Sequence, residues 1–420
     1  MRLALLPLLA LPAFAAEHIP TPYASIRGVL QQLAPPELKS ANAQAFAKWS
    51  REKDKAIRAR LEQGDLDSMV NLLLFGTSFT SQPRMTVDNL GAESRAGLLR
   101  ARLDDMLKAL NNSGANERLV FLRSLLTRKG HPPATAATGA YILENLQRVL
   151  KEKVAINERI DAAKGSANVF SDRGVSLDTT IPPNYGIDAA LEDLKARKLL
   201  PRVTRVAIVG PGLDFIDKES GFDYYPQQTL QPFAVFDSLK RLGLGTPNIT
   251  ILDISPRVLD HIQATRSRTS YTIQLPRSAT VQWPAAAIDY WRNFGSAAAQ
   301  PVEPIPTPAN LPNVVTRAVR FPVPNLDAVD LNIVSQQLAL RTTGKFDLVV
   351  ATNILVYYNP FEQALALSNI AAMLKPGGFF LTNDQLPDVA SIPMRLIDHT
   401  SVVYSEQPRT TDSVFWYQRR

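Results

Sequence analysis

The residues best placed for chemistry are a glycine turn and a carboxylate, each at the end of an apolar run. Val206-Ala207-Ile208-Val209 leads into Gly210-Pro211-Gly212. Glycine in the first turn after a strand permits tight backbone geometry and lets a ligand approach the main chain closely. Ile249-Thr250-Ile251-Leu252 leads into Asp253, whose carboxylate could accept hydrogen bonds from both hydroxyls of a ribose. The competing reading of Asp253 is a helix start, with Ser255 as cap and Pro256 in the first helical turn. Both can hold at once. A dinucleotide fingerprint needs a third glycine, and Phe215 stands there, so a nicotinamide-dependent oxidoreductase ranks last.

Asp253 follows Gly212 by 41 residues, against roughly 20 in a simple unit. The excess is the loop from Asp214 to Thr229, centred on Gly221-Phe222-Asp223-Tyr224-Tyr225-Pro226. A long aromatic loop at the carboxyl end of the first strand lies where ligands bind in such sheets. Tyr224 and Tyr225 are therefore candidate lid residues on the substrate side.

A third segment carries more detail: FDLVVATNILVYYNPFEQALALSNIAAMLKPGGFFLTND, from Phe346 to Asp384. It parses as strand, loop, helix, turn, strand. Asn359 is positioned as helix cap, Pro360 as first helical residue and Glu362 as capping-box partner. Leu367, Ile370 and Leu374 supply a buried face, and Lys375-Pro376-Gly377-Gly378 stops the helix.

These pieces require an α/β scaffold. Four apolar runs, at 206–209, 249–252, 346–350 and 379–382, alternate with helical stretches, which predicts βαβ units and a doubly wound parallel sheet. Alternating segments at 401–404 and 413–418 predict a closing antiparallel hairpin. Residues 17–185 read as a helical domain, with Leu99, Leu103, Met106 and Leu110, then Leu143, Leu146, Leu150 and Val154, at helical spacing. A helix is expected from Ile187 to about Leu199. Residues 186–420 form the α/β unit, interrupted near 268–313 by an insertion with Trp283, Tyr290 and Trp291, then Pro301, Pro304, Pro306, Pro308 and Pro312.

The order strand–GxG, strand–Asp, FDLVVATN and LKPGGFFL resembles class I S-adenosylmethionine-dependent methyltransferases. The stretch ATNILVYYNPFEQ is most similar to the chemotaxis-receptor glutamate methyltransferases. The likeness covers roughly residues 186–420 and implies a Rossmann-like seven-stranded sheet binding S-adenosyl-L-methionine. It implies that Gly210 and Gly212 line the methionine part, that Asp253 holds the ribose, and that Asp214 and Ile254 belong to the same cofactor site. It further implies Leu331-Asn332 beside the adenine, Asn353 near the sulfonium and Tyr357 near the transferred methyl group. Thr352 stands where that family carries arginine, and the acceptor is left as a carboxylate or hydroxyl, on a protein or a small molecule. A sulfonium methyl is already electrophilic, so transfer needs mainly an aligned nucleophile about 3 Å away. Tyr357, Tyr224, Tyr225 and Asp384 are the candidate side chains. The whole reading requires a crevice with room for adenosine.

Composition bounds the alternatives. A chain of 420 residues, 45% apolar and 20% charged, has room for two cores. The net charge of +7 is scattered, with no basic-aromatic interleaving of a nucleic-acid module. No cysteine excludes disulfides and thiolate metal sites, and four isolated histidines argue against a histidine metal cluster. Residues 1–16 place one arginine before a short apolar stretch and Ala13-Phe14-Ala15, which predicts a cleaved signal peptide and a periplasmic or secreted protein. A misassigned start would make it cytoplasmic. No stretch is long enough to span a bilayer. Export is in tension with a cofactor made in the cytoplasm, so a non-catalytic exported binding protein that keeps the fold stands as the alternative.

Overall fold

The structure, a computed structural model, describes residues 17–85, 92–133, 135–163, 173–216, 222–311, 313–407 and 409–420. The expected signal peptide, residues 1–16, lies outside them.

The chain opens with β1 (His18–Pro20) and α1 (Arg27–Leu33), then α2 (Ala43–Phe75), α3 (Ala92–Asn111), α4 (Glu117–Arg128) and α5 (Ala136–Ala163). The 33-residue α2 is about 50 Å long at 1.5 Å per residue. Asn42 starts it, its side chain accepting from the Ala45 amide at 2.9 Å. At its other end the buried Arg102 guanidinium donates to the carbonyls of Leu73 and Gly76, groups a helix terminus leaves unpaired. On α3 the residues Leu103, Met106 and Leu110 are buried as their spacing predicts. On α5 burial follows Ile142, Leu146 and Val149, so Leu150 and Val154 lie exposed at 48% and 58%.

The second half begins with α6 (Pro182–Ala196), earlier than Ile187 because Pro182 and Pro183 suit a first helical turn. It continues through β2 (Arg205–Val209), α7 (Gln231–Arg241), β3 (Asn248–Asp253) and α8 (Pro256–Arg266). Next come β4 (Ser270–Ser278), α9 (Ala285–Asn293), β5 (Gln300–Val302) and β6 (Val314–Pro322). Then follow β7 (Leu326–Asp330), β8 (Gln336–Leu338), β9 (Phe346–Ala351), α10 (Pro360–Met373), β10 (Leu374–Thr382), β11 (Met394–Glu406) and β12 (Arg409–Arg419).

Seven strands form one sheet in the order β11-β12-β10-β9-β2-β3-β7. The neighbours from β10 to β7 run parallel, whereas β12 pairs antiparallel with both β10 and β11. Buried on both faces, β2 and β9 need near-continuous apolar runs, which they have. From β2 the chain steps outward through β3 and β7, then crosses back to β9 on the other side of β2. The boundary between β2 and β9 is thus a topological switch point, where a crevice opens outside the carboxyl ends of the strands.

Two local outcomes differ from the sequence reading. Lys375-Pro376-Gly377-Gly378 is a bulge inside β10, whose pairing with β9 jumps from Leu374 to Phe379. The insertion extends past 313 to Pro322, because β6 returns to pair with β4 along its length and makes a three-stranded sheet with β5.

The helical and α/β parts share a core. Ile26, Val29, Phe46, Ile57 and Leu61 pack with the buried residues of the seven-stranded sheet. A second cluster joins the later turns of α2 and helices α3 to α5 with Phe215 and Ile216 from the loop after β2. β1 also pairs with β8. Residues on either side of 185 are therefore interleaved in space.

Candidate functional site

Six of the expected ligand-binding residues line a single cavity at the switch point: Gly210, Gly212, Asp253, Ile254, Leu331 and Asn332. Gly210 and Gly212 have φ of +61° and +67°, left-handed conformations that favour glycine. The end of β3 aligns with the end of β7, so Asp253 pairs in register with Asp330 and the Leu331 amide donates to the Asp253 carbonyl at 3.0 Å.

Asp253 is 5% exposed. Its Oδ1 accepts from the Ser255 amide at 2.8 Å, while its Oδ2 is buried without a hydrogen-bond partner. Burial pushes this carboxyl up to about 7, opposed by the amides of Ser255 and Ile254 and helped by nearby Asp330. Ser255 occupies the cap position of α8, but its side chain makes no capping bond. The aspartate ahead of it makes the local turn instead.

Room for adenosine is what the structure does not provide. The cavity volume is about 40 Å³, against roughly 300–1,000 Å³ for small-molecule sites. The chain itself fills the crevice. A β-carbon built on Gly210 would lie 2.3 Å from Ile354 Cδ1, and one on Gly212 would lie 2.4 Å from the Leu177 carbonyl oxygen. Among the bonds that hold the segment 175–179 there, Leu213 donates to the Leu177 carbonyl at 2.7 Å, and Thr179 donates to the Leu213 carbonyl at 3.2 Å. Leu61 of α2 and Tyr358 complete the wall.

α2 is latched across the strand ends by polar groups as well. Arg58 donates to Asp330 Oδ1 at 2.7 Å and to the Ile254 carbonyl at 3.4 Å. Asn332 donates from its side chain to Asp54 Oδ1 at 2.8 Å, and its own oxygen accepts from the Val334 amide at 3.1 Å. The amide placed beside an adenine is thus committed to the covering helix.

The other candidates lie elsewhere. Asp214 is buried, its Oδ2 accepting from the Tyr225 hydroxyl at 2.8 Å and the Gln228 amide at 3.0 Å. Asn353, with φ of +57°, is exposed and exchanges side-chain and backbone bonds with Asn383. Tyr357 ends a short turn, Leu355–Tyr357, and packs at the edge of the main core, its carbonyl accepting from Arg60 at 3.0 Å. Asp384 is half-buried, with its buried Oδ2 lacking a partner and its carboxyl pushed up to about 6 by desolvation. None of the four lines the cavity.

The aromatic loop is docked away from the crevice. Residues 217–221 lie outside the described residues. Beyond them, Asp223 accepts from the amides and hydroxyls of Thr77 and Ser78, and buried Arg118 donates to the carbonyls of Asp214, Phe215 and Tyr225. Tyr225 is 3% exposed and packs with Phe222 and Leu311. Tyr224 lines a separate open cavity of about 510 Å³ beside Asn116 and Glu117.

Asp54, Arg58, Leu61, Leu177 and Ile354 had no readable signal in the sequence. The pairing of Arg58 with Ile254 spans 196 positions, and i,i+4 pairs such as Asp54–Arg58 are ordinary on any helix surface. Among the described residues no cluster of three metal-ligating side chains occurs, and no described helix is long and apolar enough to cross a membrane. His261 bonds the Tyr271 hydroxyl at 2.8 Å and is pushed down to about 4 by burial, a structural histidine.

No family model matches the chain, and no curated protein matches it. Solved structures do. The N-methyltransferase NodS of Bradyrhizobium japonicum WM9 is 12% identical, over 57% of this chain and 97% of its own, with a TM-score of 0.28. The magnesium protoporphyrin IX methyltransferase of Synechocystis PCC 6803, crystallised with S-adenosylmethionine, is 11% identical over 57% and 81%, also at 0.28. MtNAS in complex with MTA and tNA is 9% identical over 88% and 98%, at 0.27. Scores this low fix neither ligand nor reaction.

Proposed function

We propose that the chain is an S-adenosylmethionine-dependent methyltransferase, acting on a carboxylate or hydroxyl acceptor, whose cofactor crevice is closed in the ligand-free state. One observation carries the reading: the unpartnered Oδ2 of Asp253 borders the same cavity as Gly210 and Gly212, at the switch point of a doubly wound sheet. A buried carboxylate oxygen without a donor is costly, and a ribose hydroxyl would supply the donor. The residues in place fit the nucleoside part of the cofactor, once Ile354 and the segment around Leu177 move aside. When bound, S-adenosylmethionine supplies an electrophilic methyl group. The chain's own contribution is to grip the ribose through Asp253, to pass the ligand along the glycine turn and to exclude water beneath α2. The motif likeness to chemotaxis-receptor enzymes supports the same family without fixing the acceptor, and the first sixteen residues support export.

A second reading has its own observation. A cavity of about 40 Å³, sealed by Ile354, Leu177 and Leu61, suits a chain that kept the scaffold and lost the ligand, a non-catalytic exported protein.

Isothermal titration of the full chain with S-adenosylmethionine and S-adenosylhomocysteine separates the two. Saturable binding by the wild type, lost in Asp253→Ala, supports the first reading. No binding by the wild type or by an opened Ile354→Ala chain leaves the second. Transfer of labelled methyl to an acceptor in extract then tests catalysis.

A further inference from the structure

The segment from Arg173 to Thr179 runs between α2 and the glycine turn with no helix or strand, apart from a bridge of Asp178 to Leu213. It fills the crevice with two apolar side chains, since buried Val175 and Leu177 both line the cavity. On the α2 side the Val175 amide donates to the Arg60 carbonyl at 3.0 Å, and a β-carbon on Gly64 would lie 1.9 Å from the Val175 carbonyl oxygen. On the sheet side the segment rests on Gly212 and exchanges main-chain bonds with Leu213. Both seats are glycines, where main chains meet without a side chain between them. A side-chain clasp lies at Asp178, whose oxygens accept from Ser68 at 3.0 Å and Asn71 at 3.4 Å on α2.

The fit to the crevice is incomplete. Val175 and Leu177 bring only carbon to a cavity bordered by Asp253, whose Oδ2 has no donor, and a buried acceptor left unmatched is costly. The Leu213 amide, just past the glycine turn, is taken by the Leu177 carbonyl. By contrast, α2 is anchored heavily. It places Phe46, Ile57 and Leu61 in the main core and pairs Lys53 with Glu362 at 2.8 Å and Arg58 with Asp330 at 2.7 Å. Segments with few buried apolar side chains open before the elements they pack on.

We propose that the segment from Arg173 to Thr179 is an autoinhibitory strap, which leaves the crevice as a unit while α2 stays in place, and whose release admits the ligand. The inference rests on the reading of the crevice as a nucleoside site and adds the element that regulates entry. Affinity then follows the open fraction, because the apparent dissociation constant is the intrinsic one divided by that fraction.

Hydrogen exchange of the full chain without ligand tests release. The Val175, Thr179 and Leu213 amides should exchange together, about a hundredfold faster than the hydrogen-bonded amides of α2. Ser68→Ala combined with Asn71→Ala removes the clasp without changing a residue that lines the cavity. This double variant should raise strap exchange about tenfold, the worth of a bond to a charged group. Calorimetry should show S-adenosylhomocysteine binding tightened by the same factor. Strap amides as slow as those of α2, α2 amides that speed up with the strap, or faster exchange with unchanged affinity would each overturn the proposal. Faster exchange in a chain that binds neither S-adenosylmethionine nor S-adenosylhomocysteine would uphold the strap's release and overturn the nucleoside reading instead.

Discussion

Ile354 stands directly over Gly210: a β-carbon on the glycine would lie 2.3 Å from the isoleucine Cδ1 and 2.8 Å from its Cγ1. The turn after the first sheet strand is therefore covered by the loop after β9, across the boundary where the strand order reverses. This pair is one part of the cover, beside Leu177 and Leu61. Ile354→Ala removes three carbon atoms from the wall of the cavity, and the cost of such a truncation is about 2–4 kcal/mol. Chemical denaturation is expected to show that loss, and the same variant should bind S-adenosylhomocysteine more tightly than the wild type.

The two turn glycines should respond differently to alanine. At Gly212 the obstacle is backbone, the Leu177 carbonyl at 2.4 Å, held by its bond from Leu213. At Gly210 it is the end of a flexible side chain. Both also lose the left-handed conformation, at about 1 kcal/mol or more each. Gly212→Ala should be the more destabilising in thermal melts, and Ile354→Ala should partly rescue Gly210→Ala but not Gly212→Ala.

Asp253 makes a prediction about pH. Its folded value of about 7 lies above the usual 3.9 of an unfolded aspartate, so the fold favours the protonated form. A raised carboxyl leaves stability intact below pH 4, erodes it as pH climbs toward 7 and holds the full loss above that. Asp253→Asn imitates the protonated state. It should match the wild type in denaturant at pH 4 and exceed it by about 4 kcal/mol at pH 8, an order-of-magnitude figure from the shift. If a ribose diol donates to the carboxylate, ligand affinity should instead rise with pH through this range.

Arg118 joins the helical half to the loop after β2 by donating to three carbonyls from a site 2% exposed. Arg118→Met keeps most of the volume and abandons those acceptors. Unfolding free energy should fall by about 3 kcal/mol or more, since buried carbonyls lose charged donors. Proteolysis should show early cutting near Tyr224 and Tyr225.

Export has a direct measurement. The mass of the protein recovered from its native cell should correspond to a chain beginning near Ala16 or Glu17. An intact Met1 would contradict the proposal.

The amino-acid sequence determined what local physics can determine. Mostly apolar runs at 206–209, 249–252 and 346–350 became parallel strands, because a strand buried on both faces must be nearly apolar throughout. Asn359, Pro360 and Glu362 became a complete capping box, because cap and partner lie three residues apart. The glycine turn and Asp253 came to one cavity because successive βαβ units put successive strand ends side by side. Only the tertiary structure decided that the cavity is closed. Its cover comes from α2, the 175–179 segment and Ile354, brought in across intervals of chain that leave no periodic trace. It likewise decided that Asn353, Tyr357 and the aromatic loop face away, since those orientations depend on long-range partners such as Asn383, Arg60 and Arg118.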